Sequence, residues 1–167
     1  MKLSMRIIGI DPGYGRMGYG LVEKKGSDWT HVAHGCIETS AKVEFSERLL
    51  QIHNELKRLI TRHNPDRAAV EDLFFAKNVK TAMQVGQARG VILLTLFQAG
   101  LTVDEYTPLQ VKQAITGYGR AEKGQVQKML AILLKLPAKK LIQDDAADAL
   151  AVALAAGVSL RMKRLSD

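Results

Sequence analysis

Four carboxylates stand where an acid is awkward for folding alone. Asp11 closes an apolar run from Arg6 to Ile10, just ahead of Pro12 and Gly13. Glu71 sits at the end of a second run, Arg67 to Asp72, and Asp145 and Asp148 open the alanine-rich stretch DDAADALAVALAAG. Acids three residues apart share one face of a helix, and parallel neighbouring strands would set Asp11 beside Glu71. Like charges gathered in one place repel unless a cation binds, and hard oxygen ligands suit Mg²⁺ or Mn²⁺. Two such ions astride a phosphate would stabilise both the attacking and the leaving oxygen of an in-line hydrolysis. Each acid also has a purely structural reading. Asp144 can cap a helix, Asp145 can face the helix dipole for about 0.3–1 kcal/mol, and Asp11 can start a turn. Asp72 competes with Glu71, because adjacent strand residues point to opposite faces and the sequence leaves open which face is the site.

The elements that must position these acids follow from the pattern. Arg6 to Ile10 is a β-branched apolar run bounded by Gly and Pro, which predicts a strand. The glycines at 13, 15, 18 and 20 predict a tight reversal open to another backbone or a phosphate, and Leu21 and Val22 resume a strand, so Asp11 marks the tip of a hairpin. Trp29 to Glu38 supplies a third antiparallel strand. Ser40 is placed to cap a helix in which Phe45, Leu49, Ile52, Leu56 and Leu59 recur at helical spacing, stopped by Asn64 and Pro65. This crossover makes the strand Arg67 to Asp72 parallel to the first.

Asn78 can cap a helix from Val79 to about Ala99, closed by Gly100; Gly86 and Gly90 give it a face open to close approach. Leu101 to Tyr106 reads as the last strand, and Thr107 with Pro108 starts a helix ending near Gly117. The loop Thr116 to Lys123, TGYGRAEK, reads as mobile and exposed. Val126, Met129, Leu130, Leu133 and Leu134 mark a further helix, and the acidic final helix follows Lys139 and Lys140. These elements predict one α/β domain over residues 1–160, a mixed five-stranded sheet flanked by helices, with 161–167 as a basic, frayed tail.

Composition narrows the partners. A chain of 167 residues suits one core, and a net charge of +7 with pI near 9.6 favours a polyanion. Cys36 is the only cysteine, which rules out an intramolecular disulfide and a cysteine metal cage and suits a reducing cytoplasm. The amino end does not resemble a signal peptide, and apolar runs such as Val91 to Phe97 are far shorter than the roughly 20 residues of a membrane span. The expectation is a soluble protein with no membrane partner.

The stretches IIGIDPGYGRMGYG, AVEDLFFAKN, GQARGV, VKQAITGYGRAEKGQV and DDAADALAVA occur in this order between about Met5 and Gly157. Together they closely resemble the RuvC family of bacterial Holliday-junction resolvases. The resemblance implies a ribonuclease H-like fold, a homodimer placing two active sites on four-way junction DNA, and Mg²⁺-dependent paired nicks in two opposed strands during homologous recombination and DNA repair. It further implies that Asp11, Glu71, Asp145 and Asp148 are the catalytic, metal-holding acids, with Mn²⁺ able to substitute and two ions per site. Lys112 and Lys123 match basic residues that the family uses near the scissile phosphate or the junction strands, and Phe74 an aromatic that stacks on bases at the opened crossover. Partnership with a RuvA and RuvB branch-migration complex is implied in the same way. Two other readings stand beside it. DPGYGRMGYG also resembles the phosphate loop of actin-like kinases and ATPases, although the chain is too short for their second lobe. A non-catalytic junction-binding scaffold is the other, and four intact acids argue against it.

Overall fold

The computed structural model describes residues 4–72, 79–137 and 144–166. Five strands, β1 (Arg6–Asp11), β2 (Arg16–Lys25), β3 (Asp28–Glu38), β4 (Arg67–Glu71) and β5 (Thr102–Tyr106), form one mixed sheet in the order β3-β2-β1-β4-β5. The first three are an antiparallel meander, and β4 and β5 add in parallel on the other side of β1. The helices are α1 (Phe45–His63), α2 (Val79–Gln98), α3 (Pro108–Thr116), α4 (Lys123–Leu133) and α5 (Asp144–Ser166).

Alternation along β1 divides the core. Ile8 and Ile10 point to one face, where Ile52 and Leu56 of α1 and Ala88, Ile92 and Leu96 of α2 cover them. Ile7 points to the other, with Val22 and Ala69, towards α3, α4 and α5. Helix α5 is buried on nearly every side from Ala146 to Ala156, as a helix that is apolar all round must be. It runs unusually close to the sheet. A methyl group on Gly9 would lie 2.5 Å from the Ala153 nitrogen and collide with the Ala149 carbonyl; one on Gly20 would lie 2.6 Å from the Leu150 nitrogen; one on Gly18 would meet the Asp145 carbonyl group. Gly18 and Gly20 therefore lie within β2 and make room for α5, rather than forming a turn or a phosphate loop.

Several boundaries differ from the sequence expectation. Helix α1 begins after Glu44, with no side-chain cap, while the Ser40 hydroxyl accepts from the Lys42 amide in the preceding turn. Its end is as expected, with Asn64 left-handed at φ 44°. Thr107 and Gln110 form a reciprocal cap around Pro108 at the start of α3. Helix α4 starts at Lys123, the last residue of the expected loop, because Glu122 and Gln125 form a second such box. Helix α5 continues to Ser166, so the stretch from Arg161 is helical where a frayed tail was expected. Asn78, Lys139 and Lys140 lie outside the described residues.

The close seat of α5 generates a stability test. Gly9→Ala must push helix backbone away from the sheet, at a cost of about 1–3 kcal/mol for overpacking. Urea unfolding should show a lowered midpoint with an unchanged slope; an unaltered midpoint would show that α5 is not held at this distance.

Candidate active site

The parallel register of β1 and β4 sets Ile10 opposite Val70, and one residue further on Asp11 and Glu71 lie side by side at the strand ends. Both occupy the α5 face, in step with Ile7 and Ala69. Asp72 points the other way and pairs with Arg89 of α2 at 3.5 Å, which resolves the choice that the sequence left open: Glu71 is the acid that meets Asp11. The first turn of α5, lowered onto Gly18, brings Asp145 and Asp148 to the same end of the sheet.

Burial and mutual repulsion hold protons on this cluster. Asp11 is pushed up to about 8, first by burial and then by the charges of Glu71, Asp148 and Asp145. Glu71 is pushed up to about 7 by burial and by Asp148, although a hydrogen bond from Asp11 opposes the rise. The two buried acids thus share a proton, which Asp11 donates. The outer acids are balanced by cations instead. Lys123 Nζ lies 2.9 Å from Asp148 Oδ2 and 3.6 Å from Asp144; partial burial opposes its charge, but the bond to Asp148 wins and raises its pKa. The Arg16 guanidinium reaches Asp145 Oδ2 at 3.4 Å and Glu38 at 3.1 Å.

Glu71 and Asp148 open into a pocket of about 280 Å³ whose other polar groups are Lys112 and Lys123, with Val111 and Val126 forming part of an apolar wall. Asp145 stands beside this pocket rather than in it, held by Arg16. Asp144, expected as a cap, is the first residue of α5 and receives a hydrogen bond from Gln127 at 3.2 Å. Phe74 lies outside the described residues. Arg16 was not foreseen as a site residue, although it is the one cation inside the glycine-rich hairpin; the valine wall carried no sequence signal, since Val111 and Val126 read as ordinary helix core.

The donor chemistry suits a hard divalent cation, since the four side chains offer only carboxylate oxygens and repel one another without compensation. As they stand, no three carboxylate, imidazole or thiol groups among the described residues are gathered closely enough to hold an ion. Lys123 and Arg16 pair with the outer acids Asp148 and Asp145.

These shifts set a pH dependence. Asp11 and Glu71 have pKa values in the folded protein well above their ordinary 3.8 and 4.5, so the folded state binds more protons than the unfolded chain. Their contribution to stability is full below about pH 4 and is lost as pH rises through 7 to 8. In chelator, the urea midpoint should fall from pH 5 to pH 9, and Asp11→Asn should flatten much of that fall. A profile that stays level would contradict the buried, proton-sharing pair.

Comparison with known proteins agrees with this geometry. The family model for crossover junction endodeoxyribonuclease RuvC matches residues 7–156. A crossover junction endodeoxyribonuclease RuvC from Petrotoga mobilis is 57% identical over 153 residues, covering 92% of this chain and 93% of its own. The structure of T. thermophilus RuvC in complex with Holliday junction substrate superposes with a TM-score of 0.90 at 36% identity, over 95% of this chain and 96% of that one. The yeast mitochondrial Holliday junction resolvase Ydc2, 14% identical with a TM-score of 0.73 over 96% of this chain and 81% of its own, shares the fold alone. With its ribonuclease H-like sheet and its acids at the ends of β1 and β4, the chain belongs to the RuvC family of crossover junction endodeoxyribonucleases.

Proposed function

We propose that this protein resolves Holliday junctions by paired, symmetric nicks in two opposed strands, with Asp11, Glu71, Asp145 and Asp148 as the acids that hold its divalent ions. The observation that carries the assignment is that Glu71, hydrogen-bonded to the buried Asp11, opens with Asp148 into a pocket rimmed by Lys112 and Lys123. Family membership carries the divalent-metal dependence; Mg²⁺, replaceable by Mn²⁺ and bound as two ions per site, is the specific proposal. Such ions, when bound, polarise the phosphate and make water a stronger nucleophile at neutral pH.

The chain's own groups do the rest. Lys112 and Lys123 supply point charges to a phosphate entering the pocket, and the valine wall lowers the local dielectric so that those charges act more strongly. Lys123 has a second part, as the ion-pair partner of Asp148. Arg16 holds Asp145 towards the cluster. Phe74 is proposed, from the family pattern, to stack on a base at the crossover.

The homodimer is proposed from α2. Met83, Gly86, Gly90, Leu94 and Phe97 follow spacings of three or four along one face, opposite the buried Ala88, Ile92 and Leu96. Met83, Leu94 and Phe97 are each more than half exposed, and beyond the neighbouring residues of the helix itself no described residue comes within 4 Å of where a Cβ on either glycine would stand. Large apolar groups around a small-residue centre fit a crossing with the same helix of a second copy, and a two-fold dimer matches the two equivalent strands of a junction. Association with RuvA and RuvB, and a cytoplasmic location, follow from the same family reading; among the described residues no helix is long and apolar enough to cross a membrane. The actin-like alternative loses its phosphate loop, because α5 fills the space over Gly18 and Gly20.

Two experiments test this reading. On an end-labelled four-way junction with Mg²⁺, Asp11→Asn should keep binding and lose cutting by about 100-fold or more, since metal-held charge stabilisation is worth several kcal/mol; retained cutting would falsify the assignment. Phe97→Glu should convert a dimer into a monomer in sedimentation at micromolar protein and abolish paired nicking, whereas a wild-type monomer would overturn the dimer.

A further inference from the structure

The loop TGYGRAEK, exposed as expected, holds a hydrogen-bond network of its own. Gly117, at φ 76°, closes α3 with its amide on the Gln113 carbonyl. The Thr116 hydroxyl bonds the Lys112 carbonyl at 2.8 Å and the Tyr118 carbonyl at 3.0 Å, and accepts from the Tyr118 amide at 3.1 Å. The Ala121 amide also bonds the Tyr118 carbonyl at 3.1 Å, and the Ala121 side chain is buried. The backbone of Tyr118 is therefore held at both its N–H and its C=O, while its side chain is 58% exposed. An aromatic ring on an ordered backbone, left in water, contributes little to the fold.

Its surroundings point to an occupant. Gly119 sits against Leu109, so close that a Cβ there would lie 3.1 Å from Leu109 Cγ, and Leu109 is 56% exposed. Leu109, Lys112 and Thr116 are spaced three and four apart, one stripe of α3. The loop that carries Tyr118 thus packs through Gly119 on the same α3 stripe that carries Lys112 into the pocket, where Lys112 and Lys123 meet Glu71 and Asp148. Arg120, two residues on in the same loop, is also exposed. An aromatic face set among cations is the pattern that holds single-stranded nucleic acid, bases on rings and phosphates on charges. Because the loop is already ordered, little freedom is lost on binding.

We propose that Tyr118, on a loop seated against Leu109, is a stacking platform for an unpaired base of the junction strand next to the cleavage pocket. This rests on the junction-cutting function proposed above. The ring takes the base beside the phosphate that Lys112 and Lys123 receive, and so sets the depth at which the strand enters the pocket. Tyr118 acts on the strand and leaves the chemistry of the acids untouched.

The test uses the full chain and four-way junctions carrying 2-aminopurine at positions flanking the cut, bound in chelator. Wild-type protein and Tyr118→Phe should quench the probe at one of these positions, and Tyr118→Leu, which keeps apolar bulk without the ring, should not. Junction affinity of Tyr118→Leu should fall by about 5- to 100-fold, the range for loss of one stacked base, with the slope of log affinity against log salt unchanged because no phosphate contact is lost. Affinity and quenching like those of the wild type in Tyr118→Leu would overturn the proposal, as would Tyr118→Phe behaving like Tyr118→Leu. A lowered thermal midpoint in Tyr118→Leu would show that the ring supports the loop instead, and would also overturn it. Junction cutting by wild-type protein with an indifferent Tyr118 would defeat the platform alone; no cutting in Mg²⁺ would defeat the underlying function and the platform together.

Discussion

The contact on which the rest depends is the seat of α5 on β1 and β2. Without Cβ atoms at Gly9, Gly18 and Gly20, helix backbone reaches strand backbone, and the small side chains along α5 let α3 and α4 close from the other side. Two acids of one helix are thereby brought to two acids at the ends of parallel strands. A helix riding on larger side chains would stand further from the sheet, and the cluster would open to water. Dispersion and apolar burial along α5 hold together charges that would otherwise drive its first turn away.

Electrostatics at that end of the sheet is a balance of three compensations. Asp11 and Glu71, the more buried pair, share a proton; Asp148 is matched by Lys123 and Asp145 by Arg16. Each matches the local dielectric, since a charge in the interior is neutralised more cheaply by protonation and a charge near the surface by a mobile cationic side chain.

Around this acidic floor the protein arranges its cations and exposed rings by helix ends. The start of α3 carries Lys112 one turn inside, the start of α4 carries Lys123, and the short connection between them displays Tyr118. Two capping boxes and the Thr116 hydroxyl determine the shape of this segment. On the opposite layer, α2 packs Ala88, Ile92 and Leu96 on the sheet and leaves Met83, Leu94 and Phe97 exposed among the described residues.

The sequence by itself determined the order of the strands and helices, the parallel pairing of the two acid-bearing strands and the family, because apolar periodicity and a few short motifs are local signals. The fold class, the end of α1 at Asn64 and the start of α3 at Thr107 and Pro108 were legible in this way. Other features were decided by contacts between residues distant in the chain. That Gly18 and Gly20 receive a helix rather than a phosphate depends on α5, more than 120 residues away. The choice of Glu71 over Asp72 within the cluster depends on which face of β4 meets that helix, although the motif already pointed there. The Arg16 tie to Asp145 and the ordering of the Tyr118 loop likewise need the third dimension, because a hydrogen bond or a close backbone approach leaves no mark on the spacing of either partner.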